Sequence, residues 1–376
     1  MDDEDTRALL TLVLAGGATA PRRQLLDRHG SAAAALAAGP GAWHQAGLDH
    51  ARCARLATPC ATAMARCLDW LCEPHHRLLH WGHQDYPPLL AQSASPPLAL
   101  FVEGDADLLW HPGVAVVGSR APTAGGRDNA AAFARALASA GLAVFSGMAA
   151  GVDAAAHEAA LAVPDGRTVA VVGTGPDLAY PARHARLRAR LAERGAVASE
   201  FPPGTRARAP HFPSRNRVLA GLALGTLVIE AAERSGALIT ARLAAEAGRE
   251  VFALPGSIHN PMARGCHRLI RDGAALVEQP QEILEGLAHA AGDLARRLRG
   301  TLAPAPERPH PVAGPAATGP DRDYQTLWNA LGHDPTGMDQ LVARTRLTAA
   351  EVSSMLLVME LDGQVAVEHG RYARRS

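Results

Sequence analysis

Seven short runs recur through the middle of this chain: VAVVG (114–118), LAVFS (142–146), TVAVVG (168–173), AVASE (196–200), TLVIE (226–230), EVFALP (250–255) and AALVE (274–278). None alternates apolar with polar residues. A strand with water on one face must alternate, so these runs predict strands buried on both faces. Helical stretches such as GGRDNAAAFARALASAG lie between most of them. Strand, turn and helix in repetition predict an α/β fold, a Rossmann-like doubly wound parallel sheet with helices on both sides. In such sheets ligands gather beyond the carboxyl ends of the strands, where helix N-termini carry unpaired N–H groups. The loops at that rim are GSRAPT (118–123), SGMAAGVD (146–153), GTGPD (173–177), SEFPPGT (199–205), EAAERSGALIT (230–240) and PGSIHNP (255–261).

The flanks read differently. Residues 1–79 show apolar spacings of three and four broken by Gly and Pro, which predicts a helical N-terminal domain of the SAM or helix-hairpin-helix kind. Residues 80–112 contain two Pro-Pro pairs and one apolar run, LALFVEG, and read as an extended linker into the core at 113–299. Residues 300–320 are rich in Pro, Ala and Gly and read as a flexible linker. Residues 321–376 run helix, short helix, turn, longer helix and ribbon, the order of a winged-helix domain. Its third helix, TAAEVSSMLLVMEL, has no basic residue, which favours protein contact over base reading.

Charge narrows the function. The 376 residues balance 37 basic against 37 acidic groups, yet 201–271 holds ten arginines and four carboxylates. A local positive field on a neutral protein suggests a polyanion, although every basic residue is arginine and part of the clustering is compositional. The absence of lysine excludes a Walker phosphate loop and Schiff-base catalysis. Aromatic residues are 4 % of the chain, too few for a stacking sheet of the RRM or OB kind. The five cysteines form no metal pattern and read as structural, and no cofactor or metal is expected. No apolar run is long enough for a bilayer and the start, MDDEDTR, is acidic, so no membrane association and a cytoplasmic location are expected.

Two motifs carry most of the chemistry. GSR (118–120) closes a strand, where Arg120 can pair with a phosphate. HFPSRNR (211–217) places Phe212 beside Arg215, Asn216 and Arg217, which offers charge for phosphates and one ring for a base. Neither GSRAPT nor GTGPDL fits the dinucleotide fingerprint, which disfavours a dehydrogenase. Asp153 and His157 lie four apart on a helix without an activated Ser or Cys beside them. Glu230 at a strand end keeps open an enzyme reading, a nucleotide or nucleoside-phosphate hydrolase with Glu230 as acid or base.

Taken together, VGSRAPT, SGMAAGVDAAAHEAAL, VAVVGTGPDLAYPARH, SEFPPGT, HFPSRNRVLAGLALGTLVIEAAERSGALITARLA and REVFALPGSIHNPMARGCHRLIRDGAALVE resemble the DNA-processing protein A family, also called Smf. The resemblance implies a non-catalytic protein that binds single-stranded DNA, protects it on entry during natural transformation, and helps load a RecA-type recombinase. It implies a homodimer, and a DNA pocket on Gly118, Ser119, Arg120, Ser146, Gly147, Phe212, Arg215, Asn216, Arg217, Ser235 and Gly236. Two departures, a second loop without its usual basic residue and Ser214 where many members are basic, imply a less positive pocket.

Overall fold

The computed structural model describes residues 3–302 and, beyond them, 320–331, 336–345, 347–348, 352–353, 355–356, 359, 365–368 and 371–374. It divides into two compact units, Met1–Ala303 and Pro304–Ser376. The first is built on a nine-stranded sheet in the order β1-β2-β6-β5-β4-β3-β7-β8-β9. The strands are β1 (His76–His80), β2 (Ala99–Gly104), β3 (Gly113–Val117), β4 (Ala143–Ser146), β5 (Thr168–Val171), β6 (Ala196–Ser199), β7 (Gly225–Val228), β8 (Glu250–Ala253) and β9 (Ala275–Leu276). The seven runs anticipated from sequence are β3 to β9, all parallel to one another.

The N-terminal helices are α1 (Asp3–Ala15), α2 (Thr19–His29), α3 (Ala32–Ala37), α4 (Gly39–Gln45), α5 (His50–Ala57) and α6 (Ala61–Leu71). Their apolar faces close over Leu98, Ala99 and Phe101. The helical pattern stops short of Leu79. β1, HRLLH, pairs antiparallel with β2, and β2 pairs antiparallel with β6. The stretch 80–112, expected as a linker, therefore supplies a sheet strand, preceded by the single turn α7 (Pro88–Ala91). LALFVEG carried enough apolar surface to be drawn into the sheet, where Leu100, Phe101 and Val102 are fully buried.

The remaining helices of this unit are α8 (Ala124–Ser139), α9 (Val152–Leu161), α10 (Ala185–Arg194), α11 (His211–Leu222), α12 (Gly236–Glu246), α13 (Arg264–Arg271) and α14 (Pro280–Leu302). Successive side chains of β3 point to opposite faces. Val114 and Val116 meet Phe133 and Leu137 of α8, Ala156 of α9 and Leu287 of α14. Ala115 and Val117 meet Val218 and Leu222 of α11 and Ala237 and Ala241 of α12. Each fully buried Val, Leu or Phe contributes about 1.5–3 kcal/mol, so both layers hold the sheet. From β3 the chain winds one way through β4, β5 and β6, then crosses by α11 to β7 on the other side of β3. A crevice opens where that winding reverses.

In the second unit α15 (Pro320–Ala330), α16 (Met338–Thr345) and the antiparallel ribbon β11 (Val365–Glu368) with β12 (Arg371–Arg374) surround Leu327, Leu341 and Leu356. β10 (Thr336–Gly337) adds to β12, and the arrangement is a winged helix. Most of TAAEVSSMLLVMEL lies outside the described residues, as does 303–319 of the expected linker. Among the described residues no helix is long and apolar enough to cross a membrane.

Gly104 ends β2 with φ near +100°, and a Cβ there would strike the carbonyl oxygens of Gly195 and, at 2.7 Å, Ala192. Gly104→Ala is expected to lower unfolding free energy by about 3 kcal/mol, left-handed strain adding to overpacking. Urea denaturation should show a lower midpoint at an unchanged slope.

Candidate nucleic-acid interface

HFPSRNR forms the first two turns of α11. A helix turns about 100° per residue, so side chains two apart point in divergent directions. Phe212, Arg215, Asn216 and Leu219 face the strand ends, whereas Ser214 and Arg217 face the other way. The strand-end side is one wall of a cleft of about 660 Å³ at the reversal of the sheet. Gly118 and Arg120 from the β3–α8 loop and Ser235 and Gly236 from the start of α12 complete it, together with Tyr180 and Arg208.

Its mouth joins cations to rings. The Arg120 guanidinium carbon lies 5.3 Å from the Phe212 ring centroid, and Tyr180, 45 % exposed, tilts against Phe212 at 5.2 Å. Arg120 and Arg208 are exposed. Tyr180 and Arg208 were missed in the sequence: the ring of GTGPDLAYP carries no spacing signal, and Arg208 is one of many arginines. Ser235 caps α12 by accepting from the Ala237 N–H at 3.3 Å. Asn216 donates through Nδ2 to the Gly236 carbonyl at 3.4 Å, tying α11 to that cap.

The floor is a buried charge. Arg215 is only 5 % exposed, and one of its terminal nitrogens donates to the Val171 carbonyl at 2.8 Å. Burial lowers its proton affinity, while Asp153 opposes that shift. Gly147 makes the space: a Cβ at this position would fall on the guanidinium. Asp153 accepts from the N–H groups of Gly147 (3.1 Å) and Ala149 (3.2 Å). Burial raises its carboxyl above the usual range, against the pull of Arg215 and of those two N–H groups. The second loop thus spends two amides on an internal carboxylate. His157 does not pair with Asp153. Thr168 gives its hydroxyl proton to the Val144 carbonyl, so it must accept from His157 Nδ1–H at 2.7 Å, which fixes the proton on Nδ1, while burial favours the neutral ring.

Several expected contact residues therefore support the cleft without lining it. Ser146 is fully buried and donates to the Val116 carbonyl at 2.7 Å; Ser119 is buried and accepts from the Ala121 N–H at 3.0 Å. Gly147 yields its volume to Arg215. Arg217 leaves the group altogether, because the i, i+2 offset turns it toward Glu200 and the Ser95 carbonyl. The arginine surplus is likewise not one patch, since Arg242 pairs with Glu246 at 3.4 Å and Arg268 with Asp272 at 3.5 Å. Glu230, the carboxylate of the hydrolase reading, lies outside the cleft. It accepts from Thr123 N–H (2.9 Å), the Thr123 hydroxyl (2.6 Å) and Asn260 Nδ2 (3.3 Å), anchoring the start of α8. Among the described residues no cluster of His, Cys, Asp and Glu could hold a metal ion.

Residues 77–288 match the family model of DNA recombination-mediator protein A, and residues 309–371 match that of the DprA winged helix domain. The chain is 42 % identical over 308 residues to Protein Smf of Escherichia coli (strain K12), covering 82 % of this chain and 79 % of that one. It is similar to the X-ray structure of DNA processing protein A from Streptococcus pneumoniae, with a TM-score of 0.68, 34 % identity, and coverage of 76 % of this chain and 98 % of that one. A structure of DNA processing protein A from Helicobacter pylori, described for its single-stranded DNA binding mode, matches with a TM-score of 0.51 and 28 % identity, over 57 % of this chain and 98 % of that one.

Burial pushes the His157 imidazole from its ordinary 6.5 down to about 3. A depressed value in the fold means its contribution to stability is complete above pH 6.5 and declines as pH falls toward 3. His157→Gln keeps a donor for Thr168 without a titrating ring. The stability difference between wild type and variant should therefore change by about 1.4 kcal/mol per pH unit within that window and stay flat above it. Urea titrations at several pH values measure this.

Proposed function

The chain belongs to the DNA recombination-mediator protein A family, and from that premise we propose that it binds single-stranded DNA in the cleft at the reversal of the sheet. The observation that carries the reading is the mouth of that cleft, where Arg120 lies over Phe212 beside Tyr180 with Arg208 exposed nearby. Cations for phosphates and rings for bases are what a flexible strand needs, and every base offers a π-face, so sequence preference is weak. Ser235 and Gly236 let the strand approach backbone at the start of α12, Gly118 lines the opposite loop after β3, and Asn216 adds an amide. Ser119, Ser146, Gly147 and Arg215 act from behind, by holding the loops and the floor. The protein works without catalysis: it covers incoming DNA during natural transformation and recombination and hands the strand to a RecA-type recombinase. It acts in the cytoplasm as a homodimer.

Binding of a short labelled oligonucleotide at two salt concentrations tests the cleft. Wild-type affinity should fall steeply with added salt. Arg120→Ala and Phe212→Ala should each weaken binding about tenfold, the first also flattening the salt dependence by about 0.7 in the log–log slope. Affinity indifferent to salt, or unchanged by both substitutions, would sink the assignment. Arg215→Ala belongs to a different class: removing the buried guanidinium should lower stability before it touches affinity.

A further inference from the structure

α11 has a second wall. Ser214 and Arg217, turned away from the first cleft, face another of about 600 Å³ between the sheet and the N-terminal helices. Its far side is the α1–α2 turn, GGAT at 16–19, exposed at Gly17 and Ala18. The start of α2 opens into it: Ala18 at the N-cap position makes no side-chain bond and Pro21 has no N–H, so the amides of Thr19 and Ala20, at the head of an eleven-residue helix, are left to solvent or a ligand.

Charge in this cleft is predominantly positive. Arg22, Arg208 and Arg217 line it against one carboxylate, Glu200. Glu200 is already satisfied by Arg217 and by the Ser214 hydroxyl. Arg22 holds the end of α1, donating to the carbonyls of Leu12 (3.0 Å) and Gly17 (2.8 Å), and burial lowers it only to about 10, so it stays charged at neutral pH. The cleft also has a ring, Phe201, stacked on His211 at 4.0 Å. The combination of guanidinium and aromatic seen in the first cleft is thus repeated on the other side of the same helix. Arg208 lines both clefts.

We propose that the second cleft is a further seat for the same strand, in which backbone phosphates that have passed Arg208 dock against the start of α2 and the Arg217 side of α11. This rests on the single-strand reading of the first cleft. It gives the N-terminal helical domain a direct part in DNA binding, and it makes α11 a ridge over which the strand bends. The ligand chemistry is the phosphodiester of a continuous strand, so length dependence separates it from a seat for a free phosphate or nucleotide.

The test uses the full-length protein, with oligonucleotides of about 4 and about 16 nucleotides, the span of lengths that single-strand grooves occupy. Thr19→Glu puts a carboxylate in the first turn of α2, where the helix dipole tolerates it but a phosphate would be repelled. Thr19→Gln is the uncharged control. Thr19→Glu should weaken the long oligonucleotide about tenfold and leave the short one unchanged, and Thr19→Gln should leave both within about twofold. Arg120→Ala, in the first cleft, should weaken both lengths. If Arg120→Ala weakens both while Thr19→Glu changes neither, the second seat is wrong and the first stands. If Arg120→Ala changes neither, the single-strand reading of the first cleft fails. Equal loss at both lengths from Thr19→Glu would mean the turn only shapes the first cleft, which overturns the proposal. Inorganic phosphate that competes with the short oligonucleotide in wild type but not in Thr19→Glu would do the same, by assigning the turn a free anion.

Discussion

A guanidinium inside a protein needs room, an acceptor and an opposing charge, and the candidate site is organised around one. Arg215 sits under the crevice on the Val171 carbonyl, in a space that only the missing side chain of Gly147 makes possible. Asp153 supplies the opposing charge from a distance and is itself held by two amides of the β4–α9 loop. That arrangement sets three things together: the position of α11 across the strand ends, the path of the second loop, and the depth of the cleft floor. A buried charge deprived of its counter-charge costs about 3–5 kcal/mol, so these residues are constrained as a group.

With the floor fixed, the mouth can be sparse. Arg120, Phe212, Tyr180 and Arg208 carry the exposed chemistry. Ser119, Ser146 and Gly147 are scaffolding, whose hydroxyls and amides are already bonded within the protein. Glu230 follows the same rule. A carboxylate with three donors around it at the head of α8 acts as an anchor.

The strand-end crevice was legible in advance because unbroken apolar runs separated by helices permit few other architectures. The edge was not. HRLLH lies in a region of helical spacing, and only pairing with LALFVEG makes it a strand. A five-residue segment with only two apolar residues is ambiguous until its partner is known. The cysteines, read as structural, divide: Cys53 and Cys67 are buried in α5 and α6 while Cys60 and Cys72 are exposed at the ends of α6. Pro59 separates the two helices.

The amino-acid order alone determined the parallel sheet, its rim of small-residue loops, and the presence of Arg120 and Phe212 on that rim, because these follow from local periodicity and from the rule that ligands meet strand ends. It did not determine which arginine faces out. Arg215 and Arg217 are two residues apart and chemically identical, and only the docking of α11 on the sheet sends one into the floor and the other into a second cleft. Burial and direction depend on what packs against a side chain from elements distant in sequence, and that information exists only once the chain has folded.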